Sequence, residues 1–338
     1  MTPQRVVVRG PNWLGDLVMA APAIRAIGDA WPESVVAVAV PAGFAPIVPL
    51  LDPRTVAVPL EGRTGLRAVR AHASRLRDGN YDVAVLLTNS FGSALATRLA
   101  GIAERWGYRR DGRGALLTRA IRPRKVRRES THHADYYAAL VEALGLPRPT
   151  LELQALLPAA ARDEALALLA DKGWDTRTPL LACAPGAAYG AAKQWPPRYA
   201  AAVSAAWLAD GGVIALVGST ADRSASQAVL AALPAPSAGT VFDLTGHTSL
   251  TALAGVLGLA TRVLANDSGA MHLAAALGTP TVTVFGPTRE WATSPLGPHR
   301  ILTHEVWCRP CMLRECPLDH RCMTGVPPER VIEALRDL

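Results

Sequence analysis

Short apolar runs, each followed by a stretch with helical spacing, recur along most of the chain, and this alternation constrains the fold more than any other feature. Runs that are apolar throughout suit strands buried on both faces, which points to parallel sheet covered by helices. In the first half the spacing predicts strands over Arg5–Arg9, Ser34–Val40, Val56–Val58 and Asp82–Leu87. Helices are expected over Gly15–Trp31, Thr64–Arg77 and Phe91–Leu99. Pro22 lies inside the first of these and lacks an N–H, so one short turn from Gly15, a kink, and a main helix starting at Pro22 are expected.

The stretch "GLPRPTLELQALLPAAARDEA" carries Pro147, Pro149 and Pro158 and reads as a connector. The rhythm then restarts. Strands are expected over Leu180–Ala184, Val213–Val217, Val241–Leu244, Arg262–Ala265 and Thr281–Phe285. Helices are expected over Pro197–Asp210, Ala221–Leu233, Ser249–Leu257 and Gly269–Leu277, with "PPERVIEALRDL" closing the chain. A length of 338 residues also suits two domains. The expected architecture is α/β, with two Rossmann-like doubly wound parallel sheets over residues 1–156 and 157–338. Open sheets of this kind bind ligands at strand carboxyl ends, so a cleft between two such sets of ends is expected.

Although 50% of the residues are hydrophobic, Gly, Pro or charge interrupts every apolar stretch before the ~20 residues a membrane span needs. The apolar run in "MTPQRVVVRG" is too short for a signal peptide, so a cytoplasmic protein is expected. The net charge of +7 is concentrated: Glu104–Ser130 holds nine Arg and one Lys against three acids, and the remainder is neutral. That segment is either a solvated basic loop or a patch for phosphates of nucleic acid, anionic lipid or a phosphorylated substrate. Its aromatics, Trp106 and Tyr108, are too few to favour stacking on single-stranded bases. Cys308, Cys311, Cys316 and Cys322 cluster in "CRPCMLRECPLDHRC". They leave open a structural zinc site, reduced thiols, or pairs that oxidise after isolation. Cys183 falls inside an expected strand and reads as core.

Three strand-end loops of the second half carry chemistry. In "APGAAYGAAKQWP", Gly186 and Gly190 permit close backbone approach and Lys193 offers a point charge, although an ordinary loop with an exposed lysine fits too. In "VGSTADR", Gly218 follows the strand and Asp222 suits either a ribose diol or the first turn of a helix. In "ANDSGAMHLAAALGTP", the N–H groups of Ser268, Gly269 and Ala270 should open the helix as an anion site. Asp267 would cap that helix or hold Ser268, and His272 is either a ligand contact or a satisfied buried histidine. Together these loops imply a diphosphate ligand. No GxGxxG follows either first strand, so hydride transfer from a dinucleotide is disfavoured; Walker, nucleophile-elbow and HExxH motifs are also lacking. In the first half, Asp16 stands alone at a strand-to-helix seam, where it could be a cap, a ligand contact or a base.

The segments "GPNWLGDLVMAAPAIRAI", "TNSFGSALATRLAGIAERWGYRRDGRGALLT", "APGAAYGAAKQWPPRYAA" and "NDSGAMHLAAALGTPTVTVFGPT" resemble the ADP-heptose:lipopolysaccharide heptosyltransferases of glycosyltransferase family 9. The motifs occur in family order from about residue 5 to residue 290. The resemblance implies the GT-B fold, with acceptor bound by the first domain and nucleotide sugar by the second. It implies inverting transfer without an essential metal, at the inner face of the inner membrane. It casts Asp16 as general base and assigns Lys193, Asp267, Ser268, Gly269 and His272 to the donor diphosphate, with Asp222 near the ribose. Thr245 and Gly246 would line the nucleotide, and Asn89 and Ser90 the acceptor side of the cleft. The partners implied are ADP-heptose and the lipid A–inner core acceptor, and the basic stretch then suits that anionic acceptor, with Arg105, Arg109 and Arg110 at its mouth. The Cys-rich segment lies outside the pattern of the best-known members. Two other readings remain: a relative with another sugar or a GT-B sugar-nucleotide epimerase, and a nucleic-acid-binding protein led by its arginines. The neutral remainder of the chain disfavours nucleic acid as a partner.

Overall fold

A computed structural model describes residues 2–62, 64–123, 131–234 and 239–338. The chain forms two compact units, Met1–Leu156 and Leu157–Leu338. The first unit holds β1 (Arg5–Arg9), β2 (Val35–Pro41), β3 (Val56–Leu60), β4 (Val83–Leu86), β5 (Glu104–Tyr108) and β6 (Arg119–Ile121). They form one sheet in the order β3-β2-β1-β4-β5-β6, parallel throughout. The second unit holds β7 (Leu180–Ala184), β8 (Val213–Leu216), β9 (Val241–Asp243), β10 (Arg262–Asn266), β11 (Thr281–Phe285) and β12 (His299–Thr303). Its order, β12-β11-β10-β7-β8-β9, is the same winding. In each sheet the order reverses beside the first strand, between β1 and β4 and between β7 and β10. Ligands of open α/β sheets bind at that reversal, outside the strand carboxyl ends.

The central strands are buried on both faces because their runs are continuously apolar: Val6, Val7 and Val8 have no exposed surface, and neither do Leu180, Leu181 and Ala182. One core of the first unit gathers Val7, Ala37, Ala39, Leu76, Ala84, Leu86 and Ala94. One core of the second gathers Leu181, Cys183, Trp195, Leu216, Leu264, Val284 and Met323.

Three expectations need correction. The first helix does not break at Pro22; it runs unbroken from Leu14 to Ala30. A helix-interior proline costs ~3 kcal/mol. Ten buried side chains between Leu17 and Ile27 offset that cost by packing. Part of the expected connector is a helix, Ala159–Asp171, whose alanines favour that state. It packs so closely on the helix Leu250–Leu259 that a Cβ on Gly255 would meet the Ala161 carbonyl oxygen at 2.1 Å. Strands β5, β6 and β12 and the helix His133–Ala143 lie where charge or turn residues masked their period. The basic stretch thus contributes β5 and the edge strand β6, and its residues 124–130 fall outside the described part of the chain.

Candidate active site

In the first unit the reversal point carries Asp16. Trp13 is the N-cap of the helix Leu14–Ala30, and no side chain caps it. The Asp16 carboxylate, in the first turn, is thus not spent on capping. Its side chain is 29% exposed and accepts from His133 Nδ1 at 3.4 Å. His133 opens the helix His133–Ala143, with His132 as its N-cap. Burial, and then the Asp16 charge, pushes the Tyr137 phenol well above its ordinary pKa, so Tyr137 stays protonated beside that carboxylate. A partly exposed carboxylate bonded to an imidazole can accept a proton from a hydroxyl.

The strand ends of this unit also hold two buried guanidiniums. Arg9, at the end of β1, is 6% exposed and donates to Asn12 Oδ1 at 2.6 Å, to the Ala39 carbonyl at 3.2 Å and to the Gly10 carbonyl. Arg113 has no exposed surface; it donates to the carbonyls of Tyr108 (3.0 Å) and Thr88, to Ser93 Oγ (3.4 Å) and to Asn89 Oδ1 (3.5 Å). Burial lowers the pKa of each to about 10, so both remain charged at neutral pH. Asn89 also donates to the Tyr136 hydroxyl at 3.0 Å, and so belongs to this network. Ser90 caps the helix Phe91–Leu99 by accepting from Ser93 N at 3.3 Å.

Arg105 is a correction. It is 9% exposed, and its guanidinium donates to the carbonyls of Leu116 (2.7 Å), Ile102 (2.5 Å) and Ala103 (2.8 Å). These bonds make it a brace in the fold, and its burial takes it away from an acceptor mouth. Arg109 and Arg110 lie beyond the end of β5 and are exposed, so they do present charge at the strand ends.

In the second unit the reversal point collects the residues of all three loops. Lys193 Nζ donates to Asp267 Oδ2 at 2.5 Å, with side chains 12% and 6% exposed. Thr288 Oγ1 donates to the same oxygen at 2.6 Å. Asn266 ties the end of β10 to the loop: it donates to the carbonyls of Pro185 (2.7 Å) and Gly186 (3.3 Å) and accepts from Trp195 N (3.1 Å). Ser268 is the N-cap of the helix Gly269–Ala276, and its Oγ is buried with no hydrogen-bond partner. A buried, unbonded hydroxyl beside open helix N–H groups is arranged to receive an anion. His272 is 3% exposed, one turn inside that helix.

Asp222 closes a capping box with Ser219, accepting from its N–H at 2.8 Å and its hydroxyl at 2.7 Å. The same carboxylate lies against two glycines: a Cβ on Gly186 would meet Asp222 Oδ1 at 1.9 Å, and one on Gly218 would meet Asp222 Cβ at 2.9 Å. The space that these glycines leave open is taken by the Asp222 side chain. Thr245 has its hydroxyl buried and bonded to Ser226 Oγ at 2.7 Å, so its main chain is what it offers at this loop. Gly246 follows with φ +74, which a non-glycine residue rarely adopts, and packs against Thr220 and Arg223.

Sequence reasoning missed His133, Tyr137, Arg9, Arg113, Asn266 and Thr288. The run "THHADYY" was a usable signal for the first two, since paired histidines opened an aromatic helix. The buried arginines had none, because arginine is ordinarily a surface residue. All four clustered thiols are free. Cys308, Cys311, Cys316 and Cys322 line one small cavity of about 20 Å³ with Ala192 and Pro287. As placed, no three His, Cys, Asp or Glu side chains among the described residues are arranged to hold a metal ion.

Two parallel sheets of one winding, with a partly exposed carboxylate at the first reversal point and a helix start with an unbonded hydroxyl at the second, make up a GT-B-type fold. The chain belongs to glycosyltransferase family 9, the heptosyltransferases, whose model matches residues 69–321. It is 30% identical to lipopolysaccharide heptosyltransferase 2 of Escherichia coli K12, over 99% of this chain and 98% of that protein. It is 29% identical to the heptosyltransferase 2 of Salmonella typhimurium, again over 99% and 98%. Among solved structures it resembles the E. coli ADP-heptose lipopolysaccharide heptosyltransferase II, with TM-score 0.83, 29% identity and 98% of both chains covered. A family 9 structure from Veillonella parvula shares the fold at TM-score 0.84 and 20% identity, covering 99% of this chain and 96% of that one.

Proposed function

We propose that this chain transfers a heptose from ADP-heptose to the inner core of lipopolysaccharide, with inversion and without a catalytic metal. Inverting transfer is a single in-line displacement at the anomeric carbon. The acceptor hydroxyl loses its proton as it attacks, and ADP departs as an anion. Asp16 takes that proton, with His133 orienting the carboxylate through the 3.4 Å contact. A positioned base contributes ~10²–10⁴ in rate. Lys193 and the helix start at Ser268 meet the negative charge that builds on the leaving diphosphate, with Gly269 and Gly186 giving the main chain access. Asp222 and the Gly218 and Gly246 turns serve the nucleoside. These fixed positive groups do the work a metal ion would otherwise do.

The observation that carries this reading is the buried, unbonded Ser268 hydroxyl at a helix start beside the Lys193–Asp267 pair. Asn89, Arg109 and Arg110 suit the anionic acceptor. Because that acceptor is lipid-anchored, the enzyme works peripherally at the inner face of the inner membrane. No helix among the described residues is long and apolar enough to cross a membrane. The test is a transfer assay with ADP-heptose and purified core acceptor in the presence of a chelator. ADP release that depends on acceptor and survives chelation supports the reading. Release without acceptor, or none at all, sinks it.

A further inference from the structure

The Cys-rich segment is seated on the donor loop. Arg314, midway between Cys311 and Cys316, accepts at its carbonyl from Ala192 N at 2.9 Å. Tyr189 donates its hydroxyl to the Met312 carbonyl at 2.8 Å. Gly190 makes this approach possible: a Cβ there would meet the Arg314 carbonyl oxygen at 2.3 Å. The segment itself is anchored from below by Arg309, 3% exposed, which pairs with Glu290 and Glu305 and donates to the Gly286 carbonyl at 2.9 Å.

Two cations meet on one ring as a result. Lys193 Nζ lies 4.7 Å from the centre of the Tyr189 ring, and Arg314 Cζ lies 5.2 Å from the same centre. Their electrostatic situations differ. Lys193 is matched by Asp267 at 2.5 Å and is mostly buried. The Arg314 side chain is exposed, and no carboxylate among the described residues pairs with it. A nucleoside diphosphate brings more than one negative charge, whereas the Lys193–Asp267 pair is neutral overall. The site therefore needs a further cation.

We infer that Arg314 is a donor-binding residue, supplying from the Cys-rich segment the positive charge that Lys193 shares with Asp267. The inference rests on the proposed donor chemistry. In this arrangement the guanidinium, steered by the Tyr189 face, forks onto the diphosphate oxygens as the donor enters. The segment Cys308–Cys322 then acts as a presenting arm for that guanidinium.

The test pairs steady-state kinetics with calorimetric titration of ADP, on the full chain. Arg314→Ala should raise both the donor KM and the ADP Kd about tenfold, the scale of a charge-assisted hydrogen bond. Acceptor KM and Tm should hold, because the Arg314 carbonyl still receives Ala192. Arg314→Lys should recover part of the loss, and Arg314→Glu should deepen it. Arg300→Ala, in the edge strand β12 where the side chain pairs with Asp337, controls for net charge. A donor KM and an ADP Kd within twofold of wild type for Arg314→Ala would overturn the inference. So would equal loss in Arg300→Ala. If the wild type turned over no ADP-heptose, the proposed function would fail on its own account. The ADP titration of Arg314→Ala would still decide the role of the arginine.

Discussion

The two reversal points are built on the same strand order but solve opposite electrostatic problems. In the first unit, buried cations rest on neutral partners: Arg9 and Arg113 donate to carbonyls, amides and a hydroxyl, and to no carboxylate among the described residues. The carboxylate of that site, Asp16, is held only by a long contact to His133 and stays partly exposed. In the second unit, Lys193 is clamped to a carboxylate, and the open groups are main-chain donors at a helix start. On the proposed reading, one point takes up a proton and the other an anion. Topology fixes where a ligand binds, and the side chains on a few turns decide what chemistry happens there.

The largest effect expected to test this contrast is at Asp16. Asp16→Asn keeps size and hydrogen-bonding capacity but cannot accept the proton. Turnover should fall ~10²–10⁴-fold, while ADP affinity, read by calorimetry, stays at the wild-type value. Weakened ADP binding in this variant would erase the division of labour between the units.

Next in size is the clamp. Lys193→Met leaves Asp267 buried and unpaired, which costs about 3 kcal/mol of folding stability as well as donor affinity. The double variant Lys193→Met/Asp267→Asn removes the stranded charge. It should regain most of the stability in a urea melt while ADP binding stays weak. Recovery of both together would mean that Lys193 serves the fold alone.

Much of this was legible in the chain and some was not, for identifiable reasons. Strands such as Val6–Val8 and Thr281–Phe285 announce themselves because burial on both faces demands an unbroken apolar run. The loop residues Lys193, Asp267 and Ser268 could be found because Gly and small polar residues mark turns after such runs. Strand β5 reads Glu-Arg-Trp-Gly-Tyr, and its charges hide it. Arg105 and Arg113 misled for the same reason: a charge is taken for a surface group until the carbonyls that solvate it are seen. Pro22 misled because a local rule was outweighed by the burial of the helix around it.

A moderate effect is expected at Arg113, where the first unit's device can be tested alone. Arg113→Leu leaves the Thr88 carbonyl without its donor and takes one of two donors from the Tyr108 carbonyl, which Arg110 N still reaches at 3.0 Å. The loss should be about 2 kcal/mol in unfolding stability. ADP binding, a property of the second unit, should be unaffected. An equal loss of ADP affinity would show that the two sites are not separable in this way.

The smallest effect concerns the first strand of each sheet. At the fourth position β1 carries Val8 and β7 carries Cys183. Complete burial pushes the Cys183 thiol up to about 12, because the thiolate would lose its solvation. In the unfolded chain the thiol ionises near its ordinary value. Between those two values the unfolded state holds fewer protons than the native state, so stability falls as pH rises through the window. Below the ordinary thiol pKa both states are protonated and nothing changes. The contribution should reach about 1 kcal/mol near pH 10. Melts of wild type and Cys183→Ala should therefore converge as pH is raised above 9, because the alanine variant lacks this slope. Val8→Ala loses packing but titrates nothing, so its deficit relative to wild type should not shrink in the same way. Parallel curves for wild type and Cys183→Ala across that range would mean that the thiol is solvated in the native state, and the β7 core would then not be dry.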